Sequence, residues 1–367
     1  MLPAMTRVLL CMTVLKSGAS NHNYPAPTDC VPGLGQLPEE RSCESLGWPR
    51  SGHKRRVFDS FAFNGEYEIL EARRRELAGV VDGTAFVSTA LNFHGEPNQP
   101  LHFEKDHGYV HLIVNASNFN VCLLLDEHRA SACRLAITKN SVADAIELHK
   151  VQDEDLVIFS DVDEIPNRAA IRLLQECEVP LIGGEANPGE LNVIRLNAIA
   201  HYIYNTGCKS KTSLWYWNRG PAVLTVKTMR RYGLRAFQFN PKKPSLGSPL
   251  GASFKYGPHA SAYDYSSSEL ILNCSAWHLS SFGGLRAVRS KVSDNNDKSK
   301  PPTREDLEEC KEHDHARSKM LTLHLSPPAH TYPQVPHSLD EDPDRFRTMF
   351  GPGGLHDRTQ RSDVAVQ

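Results

Sequence analysis

The sequence predicts an α/β fold in which a mostly parallel central sheet is covered by helices. Short apolar runs alternate with stretches of helical composition through the middle of the chain, the pattern that strand–helix–strand units produce. The run Leu156-Val157-Ile158-Phe159-Ser160 is apolar at consecutive positions, as a strand covered on both faces must be. Prolines thin out where this alternation is found: six lie in residues 1–50 and eight in 301–367, leaving ten for the 250 residues between. In order, residues 86–87, 110–114, 121–125 and 156–159 read as strands. Residues 131–148 and 169–177 read as helices, with Pro166 suited to the first turn of the second.

The flanks divide the rest of the 367 residues. Arg7, an apolar run from Val8 to Leu15 and the small residues Ser17 and Ala19 give residues 1–19 the form of a short secretory signal. Residues 20–56 are rich in Pro, Gly and polar side chains and read as a stem, pinned by Cys30 and Cys43. A single catalytic-sized domain is expected over 57–350, interrupted by a loop at 292–304, and residues 351–367 form a flexible tail.

Composition narrows the functional classes. With 43 acidic and 41 basic side chains the formal charge is −2, so no global basic field exists to hold nucleic acid. No apolar run approaches the roughly 18 residues of an ordinary membrane span. Beyond Cys11, inside the signal-like segment, eight cysteines remain, an even set with no Cys-X-X-Cys pair, which suits disulfides in an oxidising lumen better than zinc. Two sequons, Asn115-Ala-Ser117 and Asn273-Cys-Ser275, are compatible with that compartment.

The sharpest chemical feature follows the apolar strand: Asp161-Val-Asp163-Glu164-Ile-Pro166. In open α/β sheets, ligands gather beyond the carboxyl ends of strands. In extended backbone, residues i and i+2 point the same way, so Asp161 and Asp163 are expected to present two carboxylates to one side. Oxygen-only ligation favours Mg or Mn, which keep positions open for water or substrate phosphates. The bland alternative is that one acid caps the next helix and the other is solvated.

This block resembles the signature of glycosyltransferase family 17, the enzymes related to the bisecting N-acetylglucosaminyltransferase of N-glycans. Other blocks agree in order: Phe58-Asp-Ser-Phe-Ala-Phe-Asn-Gly-Glu66 with Leu70-Glu71-Ala72-Arg73, then Phe93-His-Gly95, Pro100-Leu-His-Phe103, Trp217-Asn-Arg219-Gly-Pro221, and Trp277-His278-Leu-Ser-Ser-Phe-Gly283-Gly284. The resemblance implies a GT-A type nucleotide-sugar transferase fold and an inverting, Mn- or Mg-dependent reaction in the Golgi lumen. UDP-N-acetylglucosamine would be the donor and a mannose residue of an N-glycan the acceptor.

Under that implication, Asp161 and Asp163 hold the cation, and Glu164, Glu66 and Glu71 are candidates for the base. Arg134, His278, Gly283, Gly284 and Arg286 close the donor site, with Arg289 and Lys291 beside them. Trp217, Arg219 and Trp277 meet sugar, with Trp215 and Tyr216 adjacent. For His278 and the tryptophans, core packing is the competing reading, and Arg230, Arg231 and Arg235 read as a solvated face. Ser88 stands where the family carries a glutamate, and Arg129-Ala-Ser-Ala-Cys-Arg134-Leu135 loses polar neighbours of Arg134, so acceptor choice is expected to differ. Two alternatives remain: a lumenal carbohydrate-binding relative without turnover, and a metal-dependent phosphoesterase recruiting Asp126 and His128.

Overall fold

The computed structural model describes residues 30, 37–91, 95, 97, 108–124, 127–179, 193–210, 220–234, 269–282, 303–310, 323–325 and 332–350. Its first half is a parallel α/β unit. Strand β1 (Val57–Ala62) lies between β2 (Gly83–Thr89) and β4 (Leu156–Asp161), and β3 (Tyr109–Val114) extends the sheet beyond β2, all four parallel. Helices α1 (Tyr67–Leu77) and α2 (Glu127–Glu147) make the crossovers. The second half adds antiparallel pairs: β8 (Ala222–Thr225) on β4, then β6 (Val193–Ile203), β7 (Cys208–Ser210) and β10 (Leu323–Leu325). Strand β9 (Glu269–Ser280) runs parallel to β6 and pairs with the short β5 (Glu164–Pro166). The expected architecture is present, as a mixed sheet whose parallel part carries the acidic motif at its carboxyl edge.

Side-chain alternation sorts the core onto the two sheet faces. Phe58, Val87, Val157 and Phe159 pack with Val142, Ala143 and Ile146 of α2. On the other face Phe61, Phe63 and Phe86 meet Ile69 and Leu70 of α1, and Trp277 and Leu279 of β9 join the same cluster. Each fully buried large side chain contributes about 1.5–3 kcal/mol, so these two layers fix the strand ends from which the functional side chains project.

Two local expectations need correction. The described part of the strand expected at 121–125, residues 121–124, is not a strand: Ala116–Leu124 is a 3-10 helix, tied to the start of α2 by the Cys122–Cys133 disulfide. Leu123 and Leu124 are 70% and 85% exposed there, so their apolar character does not report a core position. Nor does Pro166 open a helix, because it closes β5 against Ala276 of β9. Helix α3 (Arg168–Glu176) begins after Asn167, whose Oδ1 accepts from the Ala169 and Ala170 amides at 2.7 and 3.3 Å.

All eight cysteines after Cys11 are paired: Cys30–Cys274, Cys43–Cys177, Cys122–Cys133 and Cys208–Cys310. The described part of the expected stem is fastened to the domain. Leu37, Cys43 and Trp48 are buried, and Arg50 bridges Cys177. Four disulfides suit an oxidising, secretory-type environment. Among the described residues no helix is long and apolar enough to cross a membrane.

Candidate active site

Strand β4 ends at Asp161, and the chain turns at once into β5. The turn is held from inside by Arg73. Its Nη1 donates to the carbonyls of Asp161, Val162 and Glu164 at 3.0, 3.3 and 2.7 Å. Its Nη2 donates to Ser160 Oγ at 2.8 Å, and Nε and Nη2 together grip Asp59 of β1 at 2.8 and 2.5 Å. Arg73 and Asp59 are 1% and 2% exposed, so each neutralises a charge that water cannot reach. The guanidinium also lies over the Phe61 ring, 4.7 Å from its centroid. Within the turn, the Asp161 amide donates to Glu164 Oε2 at 3.1 Å, and the Leu279 amide of β9 donates to the Asp163 carbonyl at 2.9 Å.

The two aspartates part company because the backbone turns between them instead of staying extended. The Asp161 side chain is 48% exposed, and its Oδ1 accepts from Lys139 Nζ of α2 at 3.0 Å. Asp163 is buried, and its Oδ1 lies 3.6 Å from His278 Nε2. His278 is itself buried and stacks on His201 of β6, with centroids 4.3 Å apart and planes at 22°. Strand register explains the row: Glu164 faces His278 across β5–β9, and His201 faces His278 across β6–β9. Burial first, then the charges of Asp161 and Asp163, push the Glu164 carboxyl well above the usual range, so it holds its proton more tightly than a solvated glutamate. Among the described residues, no group of three or more His, Cys, Asp or Glu converges as a cation cage.

The remaining candidates separate. Glu66 precedes α1, where its Oε2 accepts from the Asn64 amide at 3.2 Å. Glu71 is committed to Arg74 and Arg75 at 3.0 and 2.8 Å, contacts that hold its carboxyl below the usual range. Trp277 is fully buried and its indole donates to the Pro333 carbonyl at 2.8 Å, so it packs the core without a face open to sugar. Arg134 is 4% exposed and packs over Gly95, whose φ is +87°; a Cβ there would come within 3.3 Å of the guanidinium. Ser88 Oγ lies 2.7 Å from His111 Nε2 of β3, and burial lowers the proton affinity of His111. Arg230 is exposed and paired with Glu147 and Asp153, consistent with a surface role, and Arg231 is exposed. Trp215, Tyr216, Trp217, Arg219, Arg235, Gly283, Gly284, Arg286, Arg289 and Lys291 lie outside the described residues, as do Asp126 and the His128 side chain.

Arg73, quoted in a motif block but given no role there, and Lys139, which no motif contained, are residues that touch the acidic turn. Both left a signal. Asp59 sits inside the strand Val57-Phe-Asp-Ser-Phe-Ala62, and a charge there demands a buried partner. Lys139 interrupts the buried stripe Ala136, Val142, Ala143 and Ile146 of α2.

No curated protein and no solved structure matches the chain significantly. A family model does match residues 23–183, a span that contains β1 to α3 and with them Asp59, Arg73, Lys139 and the whole acidic turn. The mixed sheet with a carboxylate turn at its parallel edge is consistent with the GT-A-like α/β fold of that family. The model matched over this span is that of glycosyltransferase family 17.

Proposed function

We propose that the protein is an inverting, metal-dependent glycosyltransferase of the secretory lumen. It would move N-acetylglucosamine from UDP-N-acetylglucosamine to a mannose residue of an N-glycan, in the manner of a β-1,4-mannosyl-glycoprotein 4-β-N-acetylglucosaminyltransferase. The observation that carries this reading is the half-exposed Asp161 carboxylate at the carboxyl edge of a parallel sheet, inside the span that the family model matches.

The donor set fits a hard divalent ion of the Mg or Mn type. Such ions take one or two protein carboxylates and complete their shell with water and substrate phosphates, so they need no closed protein cage. Asp161 offers the accessible carboxylate, with Asp163 two residues on in the same turn. An ion held by Asp161 would supply neutralisation of charge on the departing diphosphate. Arg73 fixes the backbone that carries both aspartates, and the raised proton affinity of Glu164 suits a group that accepts a proton from the acceptor hydroxyl. Glu164 is the one base candidate within the turn, whereas Glu71 is held by two arginines. Golgi residence follows from the same reading together with the disulfides.

The test is incubation of an N-glycan array with UDP-N-acetylglucosamine and Mn, read by mass. One added N-acetylhexosamine on mannose-containing glycans, lost in Asp161→Asn, is the expected result. The commitment of Asp161 to Lys139 and of Asp163 to the His278 side gives a second reading its footing, a carbohydrate-binding relative without turnover. UDP binding with no mass increase on any glycan would select that second reading.

A further inference from the structure

Lys139 is a charged residue in an apolar position. It stands three residues after Ala136 and three before Val142, within the helix stripe that packs on the sheet, and its side chain is only 9% exposed. A lysine so placed gives up hydration, and that loss is offset where its ammonium meets a carboxylate. The carboxylate it meets is Asp161 Oδ1 at 3.0 Å, and the Asp161 side chain is 48% exposed beyond that contact. The ammonium thus reaches Asp161 from α2, and about half of the Asp161 side chain is exposed. An anionic ligand drawn to this edge therefore comes near a positive charge that packing holds in place beside Asp161.

We infer that Lys139 is a built-in cation of the donor site, a positioning residue that binds the diphosphate of the nucleotide and competes with a divalent ion for Asp161. The inference rests on the proposed nucleotide-sugar reading and adds to it a division of labour. The ammonium gives the protein a metal-independent share of its diphosphate affinity, because a charge-assisted N–H···O⁻ contact needs no ion. The same ammonium weakens binding of the bare ion, since a cation approaching Asp161 meets a fixed like charge within a few ångströms. Removing it should move the two affinities in opposite directions. A residue that merely supports the fold would move both the same way.

The test uses the full-length protein and two probes, UDP and Mn²⁺. Calorimetry measures UDP affinity in EDTA and again in Mn, and the electron paramagnetic resonance of free Mn²⁺ measures ion affinity without nucleotide. Lys139→Met, whose side chain suits the apolar stripe, is expected to weaken metal-free UDP binding about tenfold, the value of one charge-assisted contact, while tightening Mn²⁺ binding severalfold. Lys139→Arg is expected to retain most of the UDP affinity, and Lys139→Gln serves if the methionine variant fails to fold. Unchanged affinities in these variants, or a parallel loss of both, would overturn the inference. Should the unaltered protein bind no UDP with or without Mn, the nucleotide-sugar reading falls and the diphosphate role falls with it. The Mn²⁺ titration still decides whether Lys139 and the ion are rivals.

Discussion

Glu39, just before the domain, is clasped by groups from two distant segments, and this clasp should make stability depend on pH near neutrality. Its carboxylate accepts from Tyr332 Oη, from Asn167 Nδ2 at 3.2 Å and from His337 Nε2 at 3.3 Å, and the His337 ring stacks on Tyr332 with centroids 3.9 Å apart. Glu76 and Arg168 are the other charges that His337 senses. The hydrogen bond to Glu39 raises the proton affinity of His337 above the ordinary value. Burial works to raise Glu39, but the bonds from His337 and Tyr332 prevail and bring it down to about 2. The signs follow from linkage. A raised histidine contributes stability that is complete below its unfolded pKa and is lost as pH rises through the folded one. A depressed glutamate contributes stability present above its unfolded pKa and lost as pH falls toward about 2. The clasp is therefore strongest near pH 5–6. The His337 and Glu39 side chains are 25% and 33% exposed, so screening reduces the charged hydrogen bond to about 1 kcal/mol, or roughly 2 °C of melting temperature. Thermal unfolding of the parent, His337→Gln, Glu39→Gln and the double variant, with disulfides intact, measures this. The parent should exceed His337→Gln by about 1 kcal/mol at pH 5.5 and by little at pH 8.5, and the difference should vanish in the Glu39→Gln background. A gap of equal size at both pH values, or one that survives without Glu39, would refute the reasoning.

The buried Arg73–Asp59 pair yields a larger effect. Arg73→Met leaves Asp59 charged and dry and strips donors from three carbonyls of the acidic turn, so guanidinium unfolding should show a loss of about 3–5 kcal/mol; a loss under 1 would contradict the keystone role. Glycosylation should discriminate between the two sequons. Both asparagines are exposed, but Asn115 follows β3 in open chain, whereas Asn273 lies within β9 beside the Cys30–Cys274 bridge with its Oδ1 accepting from Asn197 at 2.9 Å. Protein secreted from eukaryotic cells should carry glycan at Asn115 and none at Asn273, as peptide mass mapping after deglycosylation in heavy water would reveal; the reverse pattern would count against it.

How much of this was legible in the sequence depends on where the deciding contact lay. Strand β4 was readable from its unbroken apolar run, as a strand covered on both faces requires, and helix α2 from its helical composition. Residues 121–125 had the composition of a strand, yet 121–124 are helical and tied covalently from Cys122 to Cys133, which no periodicity encodes. The acidic turn was legible as a place. The directions of its carboxylates were not, since they depend on Arg73, Lys139 and β9, elements 22 to 116 residues away along the chain. The even cysteine count foretold full pairing but could not choose partners, because Cys30 and Cys274 meet across 244 residues.

That dependence on distant elements bears on function. Arg73 holds the turn from the sheet interior, the Leu279 amide holds it from β9, and Lys139 approaches from α2, so three separate parts of the chain converge on four residues. A rigid backbone under an exposed carboxylate is what electrostatic preorganisation requires, because a ligand then meets dipoles and charges already in place. The arrangement is also asymmetric: Asp163 is buried beside His278, while the Asp161 side chain is about half exposed and meets the Lys139 ammonium. Substitutions at Arg73 should therefore impair stability and binding together. Substitutions at Lys139 should redistribute affinity between ion and nucleotide while leaving the fold standing.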